Sequence, residues 1–341
     1  MDHDDLRPHE NLGTFRNATV NYLIGTDEAG YGPNLGPLVI SATVWQLPEG
    51  VRPAGLYGLL QGAIVATPAE AAGRKGCVAV ADSKALYPSA KGLHHLERGL
   101  LAGLAVLGHR PVTCRQYWDA VAPDAADCRQ AIPWYADFDG PIPVDALAAE
   151  IEPLAAALSV GLARAGAGLV AIRSRAIFEP DFNRQLETHG SKGAALSHAT
   201  LDLVAEVCRP LEAQSITVIC DKHGGRNAYH RLLADHFPES LIEIHGEGPA
   251  CSRYRFGPRQ RRMEVSFEVR AESYLPTALA SMASKYLREL AMAALNAFWS
   301  ARVPGLRRTA GYPQDARRFK TDIAATQAEL GIDDRMLWRA K

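Results

Sequence analysis

A short apolar run at residues 21–26 ends in two adjacent carboxylates, Asp27 and Glu28. It passes at once into a turn crowded with glycine and proline, Gly30-Tyr31-Gly32-Pro33-Asn34-Leu35-Gly36-Pro37. A second apolar run with β-branched content follows at 38–45. Strand, tight turn and strand in that order predict an antiparallel hairpin. Successive strand residues point to opposite faces, so both acids reach one site only if the strand ends there. Alone, such a dipeptide is more often a solvated turn cap. Two further strands also run into acids: 216–220 delivers Asp221 ahead of Gly224-Gly225, and 264–270 ends at Ala271-Glu272. Strand ends that converge on one edge of an α/β sheet are where ligands bind.

The remaining pattern interleaves helices with strands. Further strands are expected at 78–81, 168–177 and 241–245, and on both sides of Gly257-Pro258. In the last of these, Met263, Val265, Phe267 and Val269 face one way, and Glu264, Ser266 and Glu268 the other. Helices are expected around Leu93, Leu96, Leu100 and Leu104, then at 145–165, 193–208, 227–236 and 277–299. An amphipathic helix follows Gly311-Tyr312-Pro313. The class is therefore α/β, a central mixed β-sheet flanked by helices. Residues 1–20 read as a flexible tail and 21–300 as one catalytic domain with insertions near 46–76 and 117–165. Residues 301–341 read as a C-terminal helical extension. Within the second insertion, 117–144 carries Trp118, Pro133, Trp134, Pro141 and Pro143 and is expected to be irregular.

Charge and cysteine content narrow the function. A net charge of −1 over 341 residues excludes a generally basic coat, so a nucleic-acid site must be a local patch. Lys222 and Arg226 flank the turn after Asp221. Arg253, Arg255, Arg259, Arg261 and Arg262 form an acid-poor hairpin with Tyr254 and Phe256 interleaved, a composition suited to phosphate and base contacts. The 6 cysteines include no CxxC pair, which argues against a zinc or disulfide framework. The acidic start lacks a signal-peptide pattern, and no apolar run reaches the ~18 residues needed to span a bilayer. The expectation is a cytoplasmic monomer with no membrane partner. His94-His95 reads as surface. Gly30-x-Gly32 is not a dinucleotide fingerprint, and 190–193 lacks the spacing of a phosphate loop.

Carboxylates gathered at strand ends repel one another unless a divalent cation neutralises them. Hard oxygen donors of this kind suit Mg²⁺ or Mn²⁺. Two such ions about 4 Å apart form the clamp used in phosphodiester hydrolysis.

Six segments, taken in order, carry a resemblance. Asp27-Glu28-Ala29-Gly30-Tyr31-Gly32-Pro33 with Gly36-Pro37-Leu38-Val39 resembles the opening signature of type 2 ribonuclease H, the ribonuclease HII and HIII family. Asp82-Ser83-Lys84 is similar to its D-S-K, and Asp221 falls where its third acid stands. Arg270-Ala271-Glu272 is similar to its K-(G/A)-D, residues 280–289 to its A-S-I-x-A-K-V-x-R-D helix, and Gly311-Tyr312-Pro313 to its G-Y-(P/G)-T. The resemblance implies a ribonuclease H-like fold and an endonuclease that hydrolyses the RNA strand of RNA–DNA hybrids with two Mg²⁺ or Mn²⁺ ions. It carries catalysis and metal ligation onto Asp27, Glu28, Asp221 and Glu272, with Glu289 in support. It carries substrate contacts onto Gly30 and Gly32, with Tyr31 between them, and onto Tyr312. Lys222 and Arg226, the cations beside Asp221, and Lys285 and Arg288, one helical turn apart, are expected to add further substrate contacts. Departures are Tyr31 where the family has a cation, Glu272 for Asp, and Arg317 for a histidine. Two other readings stay open: a nuclease of this fold that cuts another nucleic-acid structure, such as a DNA junction, and a hybrid-binding module without catalysis.

Overall fold

The expected hairpin is present: β1 (Asn21–Ala29) pairs antiparallel with β2 (Leu38–Leu47) from Asn21↔Leu47 to Ala29↔Val39. The structure, a computed structural model, describes residues 21–87, 92–211 and 215–340; the expected tail at 1–20 lies outside the described residues. After the hairpin come α1 (His94–Val106), α2 (Ala148–Ala165), β3 (Gly168–Ile177), α3 (Glu179–His189) and α4 (Lys192–Cys208). The chain continues through β4 (Ser215–Asp221), β5 (Glu243–Gly246), β6 (Cys251–Phe256) and β7 (Arg262–Glu268) to α5 (Leu275–Ser300) and α6 (Pro313–Glu329).

The seven strands form one mixed sheet in the order β3-β2-β1-β4-β7-β6-β5. β1, β4 and β7 are mutually parallel at its centre, with antiparallel strands on both flanks. Apolar clusters cover both faces. Leu23 packs with α1, α2 and α5 on one side, and its neighbour Ile24 packs with α4 and the short helix His230–His236 on the other. A strand buried on both faces reads as a continuous apolar run, which is why β1 and β4 were visible in the sequence. Gly25 lies where α5 crosses β1: a Cβ there would run into the backbone of Pro276 and Thr277.

Three sequence expectations are revised. Residues 117–144 are not irregular; they include the helices Ala126–Gln130 and Pro133–Ala136 and the end of Cys114–Val121, with Trp118, Trp134 and Tyr135 buried. Val269 does not continue the inward face of β7 but is exposed past the strand's end. The stretch 178–189, unassigned from sequence, is the helix α3, opened by Pro180 and closed by Gly190 in the left-handed region.

Candidate functional site

The register of the central strands sets the site. β1 and β4 run parallel with Thr26 beside Cys220, so Asp27 and Asp221 leave neighbouring strands at the same edge. Ligand atoms of Asp27, Glu28 and Asp221 all lie within 4.8 Å of one another. β7 pairs Glu268 with Asp221, and the chain then reverses through Arg270, whose φ of 63° is the only positive value of a non-glycine among the described residues. Such backbone costs about 1–2 kcal/mol for an L-residue. The reversal carries Glu272 onto the wall of the same cleft of about 370 Å³ as Asp27 and Asp221, outside the three-carboxylate cluster.

Burial is the main force on the acids. It holds the carboxyls of Asp27 and Glu28 well above the usual range. The neighbouring charge of Asp221 pushes both further up, that of Asp27 acts on Glu28 as well, and the nearby Ser281 hydroxyl acts on Asp27 in the opposite sense. Asp221 is also raised, first by burial and then by Glu272. Without a cation these groups resist ionising together. The donor set, all hard oxygen at one strand edge, fits Mg²⁺ or Mn²⁺.

Two residues that sequence reasoning quoted but did not assign to the site stand in it: Asp82 and Lys84 line the cleft. Asp82 caps a short helix by accepting from Lys84 N at 3.2 Å and accepts from Ser281 Oγ at 3.3 Å. Its charge, then those of Asp27, Glu272 and Asp221, raise the Lys84 ammonium. α5 supports the acids from below: Ser284 Oγ donates to the Asp27 carbonyl at 2.9 Å and joins a buried hydroxyl chain through Ser41 to Ser174. The D-S-K and A-S-x-A-S spacings were the available signal for this layer.

The expected substrate contacts divide. Gly30, at φ 88°, and the open Gly32 flank Tyr31, whose hydroxyl faces Gly193 and Gly224. Tyr312 is 59% exposed beside that turn, where the Gly311 carbonyl accepts from Asn34 N and Leu35 N. Lys222 is committed internally: its ammonium donates to the carbonyls of Gly248 (2.7 Å) and Arg226 (3.0 Å) and to Ser252 Oγ (3.1 Å). The Arg226 guanidinium lies 5.9 Å from the Tyr229 ring centre. Lys285 pairs with Glu289 and lies over the Tyr87 ring. Arg288 is buried, and its guanidinium donates to the carbonyls of Pro37 (2.6 Å) and Leu35 (3.0 Å). It supports the turn from inside and does not face a substrate strand.

The arginine hairpin is likewise tied down. Arg255 makes two bonds to Glu264, Arg253 faces Glu268 at 3.6 Å, and Arg261 donates to the Cys208 and Leu211 carbonyls. Arg262 donates to the Gly257 carbonyl at 2.9 Å. A larger cleft of about 570 Å³ nearby includes Arg253, Glu264 and Glu268, with Glu268 facing Arg253 and Glu264 paired with Arg255.

No family model matches the chain, and no curated protein matches it. Solved structures it is similar to include type 2 ribonucleases H. A chain of the PCNA:RNase HII complex from Archaeoglobus fulgidus is 14% identical, with a TM-score of 0.40 over 94% of each chain. The ribonuclease H2 of Pyrococcus horikoshii is 14% identical, with a TM-score of 0.39 over 93% of this chain and 92% of that one. Bst-RNase HIII in complex with Mn²⁺ is 16% identical, with a TM-score of 0.38 over 95% of this chain and 67% of that one. Among the described residues no helix is long and apolar enough to cross a membrane.

Proposed function

We propose that the chain is a divergent type 2 ribonuclease H, a metal-dependent endonuclease that hydrolyses the RNA strand of RNA–DNA hybrids. The observation that carries this reading is the meeting of Asp27, Glu28 and Asp221 within 4.8 Å at one sheet edge, with Glu272 on the wall of the same cleft. Asp27, Glu28 and Asp221 would hold Mg²⁺ or Mn²⁺, with Glu272 completing a second position. Bound there, the ions supply an activated water and charge stabilisation for the leaving oxygen. The chain's own residues do the rest. Ser281 and Ser284 hold the loaded strand end in place. Gly30 and Gly32 leave backbone accessible to a sugar, the approach by which a 2′-hydroxyl is read. Lys84 sets a cation at the rim, and Tyr312 offers a ring for the sugar beside the cut.

A second substrate remains in play for a specific reason. Tyr31 replaces the family's phosphate-binding cation, and Lys222 and Arg288 are spent on internal carbonyls. Cleavage assays in Mg²⁺ and in Mn²⁺ on a hybrid and on DNA-only duplexes and junctions, wild type against Asp27→Asn, separate the cases. The hybrid should be cut by wild type only. Cutting of DNA alone would move the substrate, and equal activity in both proteins would remove the site.

A further inference from the structure

The turn that follows Asp27 and Glu28 contains two prolines and three glycines and makes little regular pairing, so its inward carbonyls need other donors. Arg288 takes those of Leu35 and Pro37. Those of Gly30 and Pro33 are taken by Arg339, more than 300 residues away in sequence. Arg339 is fully buried, and one guanidinium nitrogen, Nη2, donates to Gly30 O at 2.6 Å and to Pro33 O. Its other side-chain N–H groups, at Nε and Nη1, have no hydrogen-bond partner, so its bonds to the turn are all that this side chain donates.

The backbone around Arg339 is fastened to the same turn. Arg339 N donates to Asn34 O at 2.9 Å, and Asn34 Nδ2 returns a bond to Arg339 O at 3.1 Å. Asn183 on α3 grips the residues on either side, donating to Trp338 O at 2.9 Å and accepting from Ala340 N at 2.7 Å. Glu179, at the start of α3, is buried and accepts from Gly36 N at 2.7 Å, fastening the far side of the same turn. Burying a guanidinium is costly unless its partners repay the lost hydration. Here the partners are the carbonyls of the turn beside the acids.

We propose that Arg339 is a positioning residue: its guanidinium sets the height of the Gly30–Gly32 backbone over the acid cluster, and so the placement of the substrate strand against Asp27 and Glu28. This rests on the nuclease reading above. The acids themselves are held by strand register and should keep their metal affinity without it.

The test is Arg339→Ala, with Arg339→Lys and Asn183→Ala as milder variants in case the first does not fold. On the substrate that wild type cleaves, Arg339→Ala should lose on the order of 10- to 100-fold in kcat/KM. Mn²⁺ affinity by calorimetry should be unchanged, and millimolar methylguanidinium should restore turnover to this variant alone. Arg339→Lys, which keeps the charge but not the planar donor, should recover little. Activity equal to wild type, or a loss that follows only the unfolded fraction, overturns the proposal. Hydrogen exchange at the Asn34 and Gly36 amides tests the clamp even if wild type cleaves nothing. Exchange should quicken in Arg339→Ala, or in Asn183→Ala, and unchanged rates in a folded variant reject it.

Discussion

Asp27 and Glu28 carry folded-state carboxyls raised by burial, and the sign of their effect on stability follows from that. The folded chain holds protons that the unfolded chain has already released, so without metal, stability falls as pH rises from about 4 through the raised folded values. A bound divalent cation favours the ionised forms and should flatten the fall. Urea unfolding from pH 4.5 to 8.5, in chelator and in Mn²⁺, should show a decline in the first series and little in the second. Asp27→Asn should flatten the chelator series; a steeper decline in the variant would contradict the assignment. Arg270 permits a second residue-scale prediction. Glycine at its left-handed position should raise stability by about 1 kcal/mol, while removing a cation from the cleft wall and weakening substrate binding. Arg288→Ala leaves buried carbonyls without donors and should cost about 3 kcal/mol in urea unfolding.

Elements explain what the sequence could and could not disclose. β1 and β4 were visible because both faces are buried and each run stops at an acid. The helices within 117–144 escaped because pieces of 4 to 8 residues are too short to display a 3.6 period. Arg288 was misjudged for a similar reason. It stands one turn from the partly exposed Lys285, yet α5 is buried almost all round, and a long side chain on its inner face reaches the turn. Asp82 and Lys84 follow a weakly patterned stretch whose place against Asp27 only the tertiary contacts reveal. The closest element contact allows a direct check. Gly25→Ala must push α5 off β1 and should destabilise by about 1–3 kcal/mol, read as a lower urea midpoint with unchanged slope.

At the scale of the whole molecule, a net charge of −1 leaves little long-range attraction for a polyanion. The arginines of the β6–β7 hairpin are mostly engaged with Glu243, Glu264 and Glu268 and with main-chain carbonyls. Binding of a hybrid should therefore depend weakly on salt, with a log–log slope no steeper than about −4, corresponding to few phosphate contacts. Arg255→Ala should leave that slope unaltered. A steep slope that Arg255→Ala relieves would restore the hairpin as the duplex-gripping surface. Asp27 and Glu28 from one strand, Asp221 from its neighbour and Glu272 from the turn after a third form one cation site in this account, and crystals soaked in Mn²⁺ examine it most directly. The anomalous difference map should show a peak bounded by Asp27, Glu28 and Asp221, joined by a second towards Glu272 when a hybrid is bound. Saturating Mn²⁺ with no peak among those three carboxylates would contradict it.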